Sequence, residues 1–207
     1  GFQPAETWVL AAPYKARKTT LALNFALSIA CAGQAVSVFT VGDSSREATW
    51  DKLLAMGMNR AMIGNTDYAQ MIPASSQGLR HAIGDKRLKV LRDEAAVILR
   101  GLPIRLYDGR DLTCNLQECE RNVRRDSAMH GTRLFVYDYA QAVNAGKNDY
   151  ERTTAIANWN QRIIGELGIS SLILSQLNEE TVKSDNGESY SPGAKGGGAL
   201  PAMANVF

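Results

Sequence analysis

Two kinds of apolar pattern alternate along the chain. Short, nearly continuous apolar runs predict buried strands, and the longer stretches between them show the apolar spacing of helices. The predicted strands are residues 7–11, 36–41, 104–107, 133–137 and 170–174, with a last one at 204–207. Strands that alternate with helices indicate an α/β fold, in which a mainly parallel twisted sheet is covered by helices on both faces.

The helical segments fall between these strands. They are predicted at residues 21–32, 45–56, 66–73, 86–99, 113–128 and 151–167. Ser44 or Ser45 is expected to cap the second helix, which ends near Met56, and residues 57–64 are expected to form turns. The polar, Gly/Ser-rich segment 179–198 is predicted to be a loop with a function.

Length and composition are those of one globular domain that spans residues 1–207. The 207 residues are 45% hydrophobic and 21% charged, and the net charge of +2 favours no particular partner. Residues 80–110 carry eight Lys or Arg against four acids. We interpret this segment as a solvated helix face, with a surface that contacts nucleic acid as the alternative.

The three cysteines and the apolar runs bear on the compartment. Cys31, Cys114 and Cys119 lack metal-ligand spacing and are interpreted as thiols in a reducing environment. No cleavable signal is visible, and no apolar run approaches the length that spans a membrane. We therefore expect a cytoplasmic protein without a membrane partner.

The segment between the first strand and the first helix has features of a phosphate-binding P-loop. It consists of Ala12, Pro13, Tyr14, Lys15, Ala16, Arg17, Lys18, Thr19 and Thr20. In a P-loop, backbone amides hold phosphates, a lysine adds charge, and the following hydroxyl binds Mg²⁺. Lys18 and Thr19 fit these roles, but Ala12 and Arg17 replace the usual glycines, which let the backbone approach phosphates closely. The loop is either built differently or has lost nucleotide turnover.

Polar residues follow several predicted strands. Asp43, Asp138 and Gln176 come after the second, fourth and fifth strands, at the edge where open α/β sheets bind ligands. Asp138 is predicted to hold Mg²⁺ together with Thr19. Asp43 is predicted to orient or deprotonate an attacking water, and Gln176 to sense the terminal phosphate. Helix capping is the alternative for the two aspartates, and backbone hydrogen bonding is the alternative for Gln176.

Several motifs resemble the core of DnaB-type replicative helicases, a branch of the RecA-like ATPases. The two most specific are Tyr137-Asp138-Tyr139-Ala140-Gln141 and Ser175-Gln176-Leu177-Asn178. The segments Thr19–Asn24, Leu106–Asp108 and Gly198–Leu200 are similar to that family as well. The motifs occur in the family's order along nearly the whole chain.

The resemblance implies a RecA-like P-loop NTPase that uses ATP and Mg²⁺ to move along single-stranded DNA. It also implies a homo-oligomeric ring, usually a hexamer, with nucleotide bound between subunits. By position, Lys18 and Thr19 match the family's Walker A pair and Asp138 its Walker B acid. Gln176 matches the phosphate-sensing glutamine, and Asp43 falls where the family places a catalytic glutamate.

Two loops correspond to the family's DNA-facing loops, one after Gln141 and one after Asn178. The candidate contacts to nucleic-acid phosphates in them are Lys147, Lys183, Lys195, Gly196, Gly197 and Gly198. A hinge is the alternative interpretation of the glycine run.

The sequence departs from the family pattern in three respects. The Walker A glycines are replaced, Asp43 is one methylene shorter than glutamate, and the chain ends before the arginine-finger segment. We also expect no counterpart of the family's amino-terminal domain in these 207 residues. A complete helicase motor is therefore not expected, and ring formation stays open.

Three functions remain in competition. The preferred one is an ATP-binding, nucleic-acid-dependent NTPase that acts in replication or recombination. The second is a metal-dependent nuclease, in which Asp43 and Asp138 hold the metal while Lys15, Arg17 and Lys18 grip a phosphodiester. The third is a catalytically silent accessory module that binds single-stranded DNA.

Overall fold

The protein is described by a computed structural model that covers residues 3–13, 15–42, 44–63, 85–109, 115–142 and 144–176. The strands in these ranges are β1 (Thr7–Ala12), β2 (Val36–Thr40), β3 (Ile104–Asp108), β4 (Leu134–Asp138) and β5 (Ser170–Gln176). The α-helices are α1 (Lys18–Cys31), α2 (Arg46–Ile63), α3 (Asp85–Gly101), α4 (Leu116–His130) and α5 (Asp149–Leu167). A 3₁₀ turn, Ala140–Ala142, follows β4.

The five strands form one parallel sheet in the order β1-β5-β4-β2-β3. Ala12 pairs with Gln176, and Thr40 pairs with both Asp138 and Asp108, so the polar strand ends stand side by side. The predicted parallel α/β sheet is therefore confirmed, with its polar groups at the carboxyl edge of the strands.

Successive side chains of each strand point to opposite faces of the sheet, and this divides the core between two helical layers. Val36 and Val38 of β2 pack with α1, α2 and α3, whereas Phe39 packs on the opposite face with α4 and α5. On that second face, Phe39 stacks on Tyr107 with ring centroids 4.9 Å apart, and Phe135 makes an edge contact with Trp159 at 5.6 Å. Helices thus cover both faces of the sheet, as predicted.

Helix α2 is longer than the sequence indicated. The prediction that it ends near Met56 and that residues 57–64 form turns was wrong, because the helix continues to Ile63. A Cβ at Gly57 would lie 3.4 Å from Leu99 Cδ1, so this glycine packs closely against α3. The packing between the two helices outweighs the low helix propensity of glycine.

Local capping fixes the ends of α4 and α5. Asn115 accepts a hydrogen bond from the Gln117 amide, so α4 begins after the predicted start at 113. Asn148 caps α5 by accepting from the Glu151 amide. Gly168 ends α5 with a left-handed φ of 61°, which confirms the predicted stop.

A buried carboxylate joins α4 to the edge of the sheet. Asp126 is fully buried and accepts hydrogen bonds from Ser37 Oγ at 2.7 Å and from the Tyr107 hydroxyl at 2.8 Å. Arg125 donates to the same hydroxyl at 2.6 Å. Burial, and next the hydrogen bond to Asp126, raise the pKa of Tyr107 to about 12. Residues from β2, β3 and α4 therefore share one polar network.

Three predicted segments lie outside the described residues. They are the short helix at 66–73, the loop at 179–198 and the last strand at 204–207. Among the helices that are described, none combines the length and apolar character needed to cross a bilayer.

Candidate functional site

The loop between β1 and α1 adopts a glycine-like conformation without glycine. Lys15 and Arg17 both have a φ of 61°, in the left-handed region that L-residues rarely occupy. Ala16, between them, is not in that region. Backbone that alternates in hand in this way turns successive N–H groups toward a common point and forms a concave anion site. The backbone of Lys15 and Arg17 is thus compatible with a phosphate-binding loop although Arg17 stands at a glycine position.

The lysine of this loop is held by the loop's own backbone. Lys18 Nζ donates to the carbonyls of Ala12 and Pro13, at 2.7 and 2.9 Å. Partial burial lowers the pKa of the Lys18 ammonium below its ordinary value, and the nearby Asp138 carboxylate partly offsets this effect. The two carbonyls therefore fix the ammonium at the start of α1, beside the loop amides.

A short hydrogen bond joins α1 to the end of β4. Thr19 Oγ1 donates to Asp138 Oδ2 at 2.6 Å, the distance typical of a hydroxyl bound to a carboxylate. The carboxylate also faces the amino-terminal end of α1, where the helix dipole favours negative charge. A hydroxyl and a carboxylate are the kind of oxygen ligands that Mg²⁺ prefers, so this pair is suited to hold the ion.

These groups surround one cavity of about 310 Å³ at the carboxyl edge of the sheet. It is lined by Lys15, Ala16, Arg17, Lys18, Thr19, Thr20, Ser44, Lys52, Asp138, Tyr139 and Gln176. The described lining thus has four cations and one carboxylate. A cavity with such an excess of positive charge is suited to a polyanion such as a triphosphate.

Gln176 reaches this cavity from the end of β5. Its backbone amide lies 3.4 Å from Gln141 Oε1, and Gln141 Nε2 donates to Ser175 Oγ at 2.9 Å. Gln141 is buried in the 3₁₀ turn after β4. Sequence reasoning assigned no separate role to Gln141, whereas the structure shows that it ties the end of β5 to β4 beside the cavity.

Sequence reasoning also missed the wall formed by α2. Lys52 lines the cavity and donates to Ser44 Oγ at 3.2 Å. Ser45, rather than Ser44, caps the helix by accepting from the Ala48 amide. Asp108 adds a second cap by accepting from the Arg46 amide at 2.9 Å. The sequence contains one signal for this wall of the cavity, because Ser44 directly follows Asp43, the predicted catalytic residue.

Tyr139 fits against Gly42 at the floor of the same region. A Cβ added at Gly42 would lie 2.3 Å from Tyr139 Cε1, so only glycine leaves room for the ring. The ring in turn lines the cavity next to Asp138. Gly42 therefore allows Tyr139 to approach the end of β2.

The structure describes only part of the predicted site. Lys18, Thr19, Asp138 and Gln176 meet at the cavity, whereas Lys147 is exposed in the loop before α5 and does not line it. The predicted residues outside the described ranges are Tyr14, Asp43, Lys183, Lys195, Gly196, Gly197 and Gly198. Their roles stay predictions.

The described oxygen groups that could hold a metal ion here are those of Thr19 and Asp138 rather than a dense ligand cluster. Within the described ranges, no group of three or more His, Cys, Asp or Glu side chains is arranged to hold a metal ion. Such a sparse donor set suits Mg²⁺, which keeps several of its waters and shares substrate phosphates as ligands.

Comparison with known sequences gives a consistent result. A family model described as the DnaB-like helicase C-terminal domain matches residues 1–192. A replicative DNA helicase, DnaB, of Mycoplasma genitalium is 29% identical over 163 residues, which are 74% of this chain and 30% of that protein. The Mycoplasma pneumoniae counterpart is 27% identical over 186 residues, 86% of this chain and 36% of that protein. The chain thus spans about a third of the length of these relatives.

Solved structures match over almost the whole chain. One of them, described as an ATPase domain, has a TM-score of 0.75 and 17% identity, and the match covers 99% of this chain and 68% of that one. A DnaB-like replicative helicase, solved to study its interactions with primase, has a TM-score of 0.74 and 16% identity, with coverage of 99% and 46%. At these identities the likeness establishes the fold.

Proposed function

Because the chain belongs to the family of DnaB-like helicase C-terminal domains, we propose that it binds ATP with Mg²⁺ and hydrolyses it in a nucleic-acid-dependent reaction. Its fold is that of RecA-like ATPase domains. The observation that carries the proposal is the 2.6 Å bond between Thr19 and Asp138 at the cavity that Lys18 also lines. It unites the three side chains that a P-loop enzyme needs around a triphosphate.

Each residue has a role that follows from its position. The amides of residues 15–18 would cradle the phosphates, and Lys18 would give its positive charge to them. Thr19 would bind Mg²⁺ directly, and Asp138 would hold it through water. The bound ion would neutralise charge on the phosphates.

Two further residues would act on the terminal phosphate. Gln176 lines the cavity from β5 and would donate its amide to that phosphate. Asp43, which comes three positions after the last residue of β2 in the sequence, would orient or deprotonate the attacking water. The role of Gln176 extends the geometry of the described cavity, whereas the role of Asp43 rests on the sequence.

Single-stranded DNA is the proposed nucleic-acid partner. Lys147 is exposed in the loop between the 3₁₀ turn and α5, on the carboxyl side of the sheet. Together with the loop after Asn178, it would contact phosphates in a salt-dependent manner. Two relatives carry the name replicative DNA helicase. For this chain we propose only the part of that activity that belongs to a homo-oligomeric, nucleotide-driven core that binds DNA.

Membership of this helicase family favours nucleotide hydrolysis over the nuclease hypothesis. The four cations of the cavity are consistent with this choice, because they lie around a loop shaped for phosphates beside the Thr19–Asp138 pair. The accessory-module hypothesis keeps the same binding site without turnover, so one assay should separate all three functions.

The test compares the full chain with Lys18→Ala and with Lys89→Ala, an exposed control on α3. Nucleotide binding is measured by titration calorimetry with Mg²⁺. Phosphate release and strand length are followed in one tube with labelled single-stranded DNA, with and without ATP. Circular dichroism checks that each variant is folded.

We expect Lys18→Ala to lose ATP binding and DNA-stimulated phosphate release, while Lys89→Ala behaves as the wild type. Retained ATP binding in the folded Lys18→Ala variant would contradict the proposal. Strands shortened without ATP, and spared in Asp138→Ala, would support the nuclease instead. Binding of ATP and DNA without phosphate release would indicate the accessory module.

A further inference from the structure

A second lysine reaches the cavity from α2. Lys52 lies on the second turn of that helix, is partly buried, and donates to Ser44 Oγ at 3.2 Å. Neither residue belongs to the P-loop, to the pair that would hold the metal, or to the motifs at the ends of β4 and β5. Lys52 is therefore a cation in the site for which the proposed reaction has no role yet.

The sheet order shows where this cation lies relative to the P-loop lysine. Lys18 Nζ is bonded to the carbonyl of Ala12 at the end of β1, while Lys52 is bonded to Ser44, which follows the end of β2. Strands β5 and β4 lie between β1 and β2, about 4.8 Å apart in the hydrogen-bonding direction. Asp138 ends β4. The two ammonium groups thus line the same cavity as Asp138, one bonded at the β1 end and the other beyond the β2 end.

This arrangement indicates which phosphate of a bound nucleotide Lys52 would face. A P-loop holds phosphates on its own side, and Thr19 and Asp138 would hold the Mg²⁺ that neutralises their charge. A cation on the β2 side of the cavity, away from the P-loop lysine, would face the terminal phosphate. An ADP molecule seated in the same loop would end before it.

The partner of Lys52 leaves its charge available to an anion. Within the residues that the structure describes, the ammonium bonds to the neutral Ser44 hydroxyl, and no carboxylate lies within ion-pair range of it. A hydroxyl orients an ammonium without neutralising it. Ser44 therefore serves as a positioning residue that points the charge into the cavity, which it also lines.

We propose that Lys52 binds the terminal phosphate of the bound nucleoside triphosphate and so makes the site prefer triphosphate over diphosphate. This inference rests on the proposed function, because it needs nucleotide in the cavity. It assigns the preference to a side chain from α2 within the same chain, in addition to the residues of the P-loop.

The experiment measures binding constants for ADP and for a non-hydrolysable ATP analogue, both with Mg²⁺, by titration calorimetry on the full chain. Lys52→Met removes the charge and keeps the aliphatic stem, whereas Lys52→Arg keeps a cation. Lys89→Met on α3 is the matched control, since this lysine is exposed and does not belong to the cavity lining. Ser44→Ala tests the positioning role without altering the lysine.

We expect Lys52→Met to weaken binding of the ATP analogue about 10- to 100-fold, as for loss of one charge-assisted hydrogen bond. Binding of ADP should weaken less than about threefold. Lys52→Arg should retain most of the preference, and Ser44→Ala should lower it in the same direction by a smaller factor. Lys89→Met should leave both constants unchanged.

Equal weakening of ADP binding and of analogue binding in Lys52→Met would overturn the inference, because ADP lacks the third phosphate that Lys52 is proposed to contact. Unchanged constants in that variant, with wild-type binding intact, would also overturn it and leave the proposed function standing. A wild-type chain that binds neither nucleotide would instead contradict the proposed function, and the inference with it. If Lys52→Met does not fold, the comparison of Lys52→Arg and Ser44→Ala decides.

Discussion

Thr19 Oγ1 lies 2.6 Å from Asp138 Oδ2, so the first turn of α1 is bonded directly to the end of β4. The two residues are 119 positions apart and come from elements that are not adjacent in sequence. A bond across that separation places a hydroxyl and a carboxylate at one point, as a Mg²⁺-dependent phosphate site requires.

Removal of either partner is expected to disable the metal-dependent step. Thr19→Val and Asp138→Asn should each lower Mg²⁺-dependent phosphate release by at least about 100-fold, as for other groups that stabilise transition-state charge. The double variant should lose little more than either single one, because both act through one ion. Phosphate release with Mg²⁺ and with EDTA measures the effect. Ser28→Ala, which removes an exposed hydroxyl from the same helix, is the control and should have no effect.

Arg17→Gly is expected to stabilise the fold. The left-handed φ of 61° costs an L-residue about 1 to 2 kcal/mol, and the greater freedom of glycine in the unfolded chain returns about 0.4 to 1 kcal/mol of that. The net gain in unfolding free energy should lie between about 0 and 1.6 kcal/mol. For a chain of this size each kcal/mol raises the melting temperature by about 2 to 4 °C. Ala16→Gly is the control, because Ala16 lies outside the left-handed region, and this change should lower the melting temperature. A lower melting temperature for Arg17→Gly would show that the loop is unstrained.

Gly42→Ala is expected to disturb the ring of Tyr139. The new Cβ would lie 2.3 Å from Tyr139 Cε1, and overpacking of this kind costs about 1 to 3 kcal/mol. Urea denaturation should show the loss, and Tyr139→Ala in the same chain should remove most of it. Gly165→Ala in α5, where nothing lies within 4 Å, should be neutral or stabilising. The same loss with and without Tyr139 would rule out the steric cause.

The stability contributed by Tyr107 should disappear at high pH. Its pKa is raised to about 12, above the ordinary value of about 10, so the fold favours the protonated hydroxyl. The contribution is therefore complete below about pH 10 and is lost as the pH rises through about 12. Tyr107→Phe should cost about 1 to 3 kcal/mol at neutral pH, because Asp126 loses a buried hydrogen-bond donor.

Urea denaturation from pH 7 to 12 should show the difference between wild type and Tyr107→Phe narrowing above pH 10. Comparison with the variant cancels the titration of lysines common to both chains. Tyr150→Phe, which changes an exposed tyrosine on α5, should not differ from wild type at any pH. A difference that stays constant up to pH 12 would mean that Tyr107 does not titrate as its environment implies.

The strands and their polar ends were predictable because buried strands in a parallel sheet are continuous apolar runs. Several of the runs led to polar residues within two positions, and this put Asp138 and Gln176 at the correct edge of the sheet. The order of the strands could not be obtained in this way. It depends on pairings between distant segments, such as that of β1 with β5.

Non-local contacts explain what the sequence did not disclose. Lys52 resembles any lysine of an amphipathic helix until the fold places α2 beside the cavity. The cost of burying Asp126 is offset in part by hydrogen bonds that Ser37 and Tyr107 donate from two other elements. The conformation of Arg17 was equally hidden, since its residue type argued against a left-handed backbone. Spacing along one segment carries none of this information.

The pairing of β1 with β5 also determines when the phosphate loop can form. Within the described sheet β1 lies at the edge and pairs with β5, so Thr7 meets Ser171 only after nearly the whole described chain has been made. Closing so long a loop carries a large entropic cost before any contact repays it. On a ribosome that delivers residues from the amino terminus, β1 is therefore the first described strand to be made and pairs only when the last one is available. The proposed nucleotide site, which Gln176 of β5 lines, is therefore incomplete until the last described strand has emerged.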